Sequence, residues 1–255
     1  GNYNINPVMS TTAHELQHLI HYNYDKNEVE WLNEAMSQLA GTLCGYGLDD
    51  PGRYLSNTNL SLTDWAPSDD PVVLDHYSKV NLWSQYLLEQ QGLTLITNLI
   101  QNTANGAAAV NAVLDDLGST ESFNSIYQNW ILCNIINNTQ INPRWGYNLE
   151  EAQDLQALSE TVTSYPFNIN QNIEAYGAHY FKYVEGDTLS ITFNSSSAFA
   201  NLIEYNDDNI QVFNLESGNQ FTENDFNDII DQEILVIGSF STSTFSITFL
   251  KSLVE

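Results

Sequence analysis

The chain has 255 residues, with 6 Lys and Arg against 32 Asp and Glu and a formal net charge of −26. Such a balance repels phosphate backbones and anionic headgroups, so nucleic acid is not expected as a partner. A hydrophobic fraction of 42%, with Phe 11, Trp 5 and Tyr 14, is ample for a packed core and excludes wholesale disorder.

Residues 8–140 read as helical, because apolar positions recur at three- and four-residue spacing. The first helix is expected over 9–24, with Ser10, Thr11 and Thr12 offering caps. A second is expected over 30–43, carrying Trp31, Leu32, Ala35, Leu39 and Leu43 and stopping at Gly45. A polar, proline-punctuated stretch, 49–71, separates it from helices over 73–92, 93–101, 107–117 and 121–136. No apolar stretch reaches the roughly 18 residues a membrane span needs, so no transmembrane segment is expected.

After Pro143 a polar connector leads into short alternating runs, among them HYFKYVEG, TLSITFN, IQVFNLESGN, EILVIGS and TFSITFL, each bounded by turn residues. Six or seven strands are expected, in a small antiparallel β-sandwich. Its aromatic residues, Tyr180, Phe181 and Phe193 among them, read as core. The fold class is therefore α + β and multidomain, with a mainly helical part over 1–163 and a β-sandwich accessory domain over 164–255.

The chemistry is concentrated in His14-Glu15-Leu16-Gln17-His18, an H-E-x-x-H sequence. On a helix its two imidazoles differ by only about 40° in direction and about 6 Å along the axis, so both reach one ion. Glu15, swung by about 100° from His14, is left free to serve as general base. Zinc suits two neutral imidazoles and a carboxylate, with a water in its fourth position.

A third protein ligand is needed. His21 shares the helix face but lies about 4.5 Å beyond His18, too far along a continuous helix to share the ion; it reads as a supporting or surface group. Glu34, within Trp31-Leu32-Asn33-Glu34-Ala35-Met36, lies on the next helix, and an antiparallel return can aim its carboxylate at the two histidines.

HELQH followed by WLNEAMSQLA resembles the gluzincin metallopeptidases, most closely the hyicolysin family. The resemblance extends through Asp75-His76-Tyr77-Ser78-Lys79, NLWSQYLLEQQG, GAAAVNAVLDDLG and SFNSIYQNWILCNII, covering roughly residues 10–140. It implies a secreted zinc endopeptidase with a zincin-like lower subdomain. His14, His18 and Glu34 would be the ligands of one Zn²⁺ and Glu15 the catalytic acid and base, acting on a protein or peptide substrate.

Further implications attach to single residues. The segment around Tyr77 is similar to one that presents a phenol to the oxyanion in related aminopeptidases, although Val80 stands where that pattern has glycine; His76 is the alternative donor. Related enzymes often place a carboxylate four residues after the glutamate ligand to orient a histidine, and here Gln38 holds that position, with Asp25, Glu28, Glu30 and Asp75 as substitutes. The family also implies a β-sheet subdomain ahead of the motif. Only thirteen residues precede His14, so the cleft built by these residues alone is expected to be incomplete and weakly active.

Other signals are weaker. Acid pairs at Asp49-Asp50, Asp69-Asp70, Asp115-Asp116 and Asp207-Asp208 invite Ca²⁺, but none has the spacing of a calcium loop. Cys44 and Cys133 suit either one disulfide or two small apolar packing groups. The opening GNYNINPVMS lacks the features of a signal peptide, so an export signal would lie outside these residues. Few charges and abundant Asn, Ser, Thr and Tyr nonetheless suggest an extracellular or cell-surface protein. The competing function is a cell-surface binding protein, in which the helical part is a relic scaffold and the β-sandwich recognises a ligand.

Overall fold

The computed structural model describes residues 6–183, 188–206, 209–223 and 232–252. The chain forms two compact units, Gly1–Asn57 with Leu62–Gln156, and Thr58–Ser61 with Ala157–Glu255. The architecture is α + β: a helical unit and a unit of two antiparallel-rich sheets.

In the first unit, helix α1 (Asn6–Tyr24) already includes Asn6, three residues ahead of the start expected at residue 9. Pro7 stands in its first turn, where a missing backbone donor does no harm. A short turn leads to α2 (Glu30–Gly41), which buries Trp31, Leu32, Ala35, Met36 and Leu39. The winding then widens into a π-turn, Thr42–Tyr46, within which Gly45 leaves helical geometry at a φ of 84° that favours glycine. Side chains pair His21 with Asn33 and Gln17 with Ser37, the register of two antiparallel helices.

The stretch read as irregular contains a short helix, α3 (Gly52–Leu55). Helix α4 (Val73–Gln101) is interrupted at Gly92 (φ 80°, ψ 167°), where two expected helices meet. Helices α5 (Ala107–Asp116) and α6 (Phe123–Ile136) follow. Ser122 and Ser125 form a reciprocal capping box at the start of α6, and Asn137 ends it in the left-handed conformation.

Aromatic side chains fill this unit's core. Tyr54 stacks on Trp130 with ring centroids 5.1 Å apart, and Trp31 meets Trp83 edge-on at 5.2 Å. The buried Trp130 indole donates to Tyr147 Oη, which donates to Asn134 Oδ1, so these polar atoms are satisfied inside the core. Cys44 is exposed and Cys133 buried, and both are free thiols. No helix among the described residues is long and apolar enough to cross a membrane.

The second unit contains β1 (Glu160–Thr161), β2 (Phe167–Ile173), β3 (Ala178–Tyr183), β4 (Thr188–Ser195), β5 (Ala198–Asn206), β6 (Asn209–Leu215), β7 (Gln220–Glu223), β8 (Gln232–Ser239) and β9 (Ser243–Ser252). One sheet has the order β1-β3-β8-β5-β6 and the other β2-β9-β4-β7. All pairings are antiparallel except β1 with β3. The inward rows meet in one core that includes Phe181, Tyr183, Leu189, Ile191, Phe193, Leu202, Leu235, Phe245 and Phe249.

Thr58–Ser61, from the loop after α3, belongs to this second unit. Thr58 C=O accepts from Ala178 N–H and Thr58 Oγ1 donates to Ala178 C=O, each at 2.9 Å. Asn59 Oδ1 accepts from the Glu174 backbone N–H at 2.9 Å.

Candidate metal centre

Helix α1 places His14 and His18 one turn apart on the side facing α2, with their Nε2 atoms 3.0 Å from each other. The antiparallel register brings Glu34 opposite them. Its Oε2 lies 3.1 Å from His14 Nε2 and 3.5 Å from His18 Nε2. Donors about 2.0–2.1 Å from a tetrahedral ion stand about 3.3–3.4 Å from one another, so the three separations fit a shared zinc-sized cation.

The donor chemistry fits as well. Glu34 Oε2 is buried and accepts no well-formed hydrogen bond despite both nearby nitrogens. Two imidazole nitrogens and a carboxylate oxygen converging this closely require a proton or a cation among them. Burial works against ionisation of Glu34, but its contacts and charge interactions with His14 and His18 prevail and hold its carboxyl at about 2. His18 is pushed up, chiefly by the Glu34 carboxylate against the opposing effect of burial.

The other side of the His18 ring is also fixed. Nδ1 faces Asn33 Oδ1 and lies 2.9 Å from Ser37 Oγ. Ser37 donates its hydroxyl proton to Gln17 Oε1, which leaves oxygen lone pairs for His18. Asn33 Nδ2 in turn sits 3.3 Å from His21 Nδ1. These roles are mutually consistent when His21 Nδ1 accepts, Asn33 Oδ1 accepts and His18 carries its proton on Nδ1, leaving the His18 Nε2 lone pair toward Glu34.

His21 is accordingly a fully buried supporting group and not a surface one. Burial, the largest influence on it, lowers its pKa and favours the neutral ring this arrangement needs. Gln38 does not take the orienting position; its amide reaches Asp49 Oδ2 at 3.4 Å. Three of the four acidic substitutes are engaged elsewhere, Asp25 with Asn27, Glu28 with Val29 and Gly106, and Asp75 with Arg53 and Asn57; Glu30 sits in the first turn of α2. Orientation of His18 falls instead to Asn33 and Ser37. These two lie one helical turn apart, and that periodicity beside Glu34 was the available sequence signal.

A cavity of about 650 Å³ opens at His14, which lines it together with Glu15, Gln38, Asp49, Leu74 and Tyr77. Glu15 also borders a second hollow of about 530 Å³ with Val8, Leu16 and Leu19. The Tyr77 ring lies 6.2 Å from the His14 ring and is braced edge-on by Trp65 at 5.0 Å. Burial first, then Glu34 and other nearby acids, pushes the Tyr77 phenol up to about 12, so it remains a proton-bearing donor at neutral pH.

His76 is not brought to this cavity. Its Nδ1 lies 2.9 Å from both the Asp64 carbonyl and Lys79 Nζ, within a buried cluster against Trp65. Burial first, and then the neighbouring Lys79, lower its pKa to about 4. Among the described residues, none of the acid pairs considered for Ca²⁺ contributes to a three-ligand cluster, and Asp207-Asp208 lies outside the described residues.

No protein-family model and no curated protein matches the chain. Among solved structures, the Yersinia pseudotuberculosis-derived mitogen is similar at 14% identity, covering 35% of this chain and 90% of that one, with a TM-score of 0.29. The pre-peptidase C-terminal domain of collagenase from Bacillus anthracis is similar at 11% identity, covering 36% and 94%, with a TM-score of 0.29. PliG of Salmonella Typhimurium, a periplasmic inhibitor of g-type lysozyme, is similar at 10% identity, covering 37% and 98%, with a TM-score of 0.28. Likenesses at this level carry no functional argument.

Proposed function

We propose that the protein is a secreted or cell-surface zinc-dependent metallopeptidase of the gluzincin kind, hydrolysing peptide bonds in a protein or peptide substrate. The observation that carries the reading is the convergence of His14 Nε2, His18 Nε2 and the hydrogen-bond-free Glu34 Oε2 beside a cavity that Glu15 lines. His14, His18 and Glu34 would hold one Zn²⁺. When bound, that ion would lower the pKa of water to about 7 and polarise a substrate carbonyl.

The chain's own residues account for the remaining chemistry. Glu15, on α1 but turned from the ligand face, accepts the proton of the attacking water and later delivers it to the leaving amine. Tyr77 Oη donates a hydrogen bond to the oxygen that gains charge as the carbonyl is attacked. Asn33 and Ser37 keep the His18 ring in the tautomer that offers Nε2.

The test is zinc content and peptide cleavage of the purified protein and two variants. Glu15→Gln is expected to retain one zinc per chain and lose cleavage; Glu34→Ala is expected to lose both. Cleavage unaltered in Glu15→Gln, or zinc absent from the unsubstituted protein, would overturn the reading.

A further inference from the structure

Three carboxylates project into the β-sandwich from three different strands, in the unit that does not contain α1 and α2. In β8 the core-facing positions are Leu235 and Ile237, and Glu233 continues that alternation. In β5 the core-facing row runs Ala200, Leu202 and then Glu204. In β7, Phe221 packs on the core and Glu223 is next on the same face. Glu204 and Glu233 are direct cross-strand partners, whereas Glu223 comes from the other sheet.

An oxygen of each glutamate lies within 4.8 Å of an oxygen of the other two. Glu233 is 0% exposed, and both its carboxylate oxygens are buried with no hydrogen-bond partner. Glu204 Oε1 is buried and unpartnered as well. So is the hydroxyl of Tyr183, which stands opposite Glu233 on β3 and also faces the core.

Grouping such oxygens in a low-dielectric interior is unfavourable unless a positive charge joins them. No basic side chain bonds to the buried oxygens of Glu233 or to Glu204 Oε1. Of the basic residues in this unit, Lys182 alternates outward between Phe181 and Tyr183, and Lys251 is exposed. A proton on Glu233 lessens the repulsion but leaves both of its oxygens and Glu204 Oε1 without a hydrogen-bond partner, a deficit that a cation would remove.

We propose that Glu204, Glu223 and Glu233 form a cation site inside the β-sandwich, with Tyr183 Oη as a neutral oxygen beside it, and that its ion is Ca²⁺. The donors are all hard oxygens, which disfavours zinc and other soft-ligand metals. Ca²⁺ takes several protein carboxylates directly in a flexible shell, whereas Mg²⁺ gives up its waters reluctantly and is seldom held by an all-protein cage, so a buried site favours Ca²⁺. The bound ion would tie β5 and β8 of one sheet to β7 of the other. This site stands independently of the peptidase reading.

The test uses the full chain, stripped of metal, reloaded with one equivalent of Zn²⁺, and titrated with CaCl₂ by calorimetry and by thermal unfolding. The unsubstituted protein is expected to take up one equivalent of Ca²⁺ and to unfold at a higher temperature when saturated. Glu233→Gln should weaken that binding roughly tenfold or more while leaving the zinc content unchanged. If Glu233→Gln fails to fold by circular dichroism, Glu223→Gln, altered at a half-buried position on the edge strand, decides by the same readout. Absence of Ca²⁺ binding, binding unchanged in the folded variant, or binding of Mg²⁺ as tight as that of Ca²⁺ would overturn the proposal.

Discussion

Ser37 Oγ stands 2.9 Å from His18 Nδ1, on the side of the ring opposite the atom that faces Glu34. Together with Asn33 it fixes both the rotation and the tautomer of a ring whose other nitrogen would serve as a metal ligand. Removal of such support typically costs 10–100-fold in metal affinity. Asn33→Ala and Ser37→Ala are each expected to weaken zinc binding within that range, measured by competition with a chromophoric chelator. Unaltered affinity in both variants would show that His18 needs neither partner.

Tyr77 and His76 are neighbours in sequence but occupy different surroundings. Tyr77 borders the cavity, while His76 is locked against Asp64 and Lys79. Tyr77→Phe is expected to lower kcat by about 10²- to 10³-fold, with KM and zinc content little changed. Because the phenol is held at about 12, its loss of a proton should not shape the activity profile between pH 6 and about 10. A kcat in Tyr77→Phe equal to that of the unsubstituted protein would remove the residue from the proposed mechanism.

How much was legible in the sequence depended on the range of the interaction. The relation of His14 to His18 is set by helical geometry within five residues, and Glu34 follows on the adjacent helix. The partners of His18 were not legible, because Asn33 and Ser37 reach it only through the mutual register of α1 and α2. Gln38, four residues after Glu34, turns to Asp49 instead. Strand β2 was missed because FNINQNI carries Asn and Gln where β-branched residues usually announce a strand. The inward direction of Glu233 was hidden because Ile234, Leu235, Val236 and Ile237 form an unbroken apolar run with no visible alternation.

The glutamate cluster makes stability depend on pH in an unusual direction. Burial first, and then Glu204 and Glu223, raises Glu233 to about 8 in the folded chain. An unfolded chain releases that proton near the ordinary value of 4.5. The folded state therefore binds more protons between these values. The contribution of Glu233 is fully present below about 4.5 and is lost as pH rises through 8, by at most about 5 kcal/mol. Urea unfolding of the calcium-free chain at pH 5, 6, 7 and 8 should show this decline, and Glu233→Gln should flatten it. An equal slope in that variant would assign the decline to other groups.

Gly92 adopts φ 80° and ψ 167° at the break in α4, a region that only glycine occupies without strain. Beyond its chain neighbours and the adjoining helix backbone, nothing lies within 4 Å of the place a Cβ would take, so Gly92→Ala separates backbone strain from crowding. A loss of about 1–3 kcal/mol is expected from equilibrium denaturation. A neutral result would mean that α4 straightens or shifts its break at little cost.

The loan of Thr58–Ser61 to the second unit has a consequence during biosynthesis. Thr58 leaves the ribosome 120 residues before Ala178, the residue to which its backbone and hydroxyl bond. At translation rates of about 5–20 residues per second, that interval is on the order of 6–24 s. The nascent helical half must therefore keep this four-residue loop accessible until β3 emerges. A gene fragment beginning at residue 157 would encode the strands without the segment that completes them.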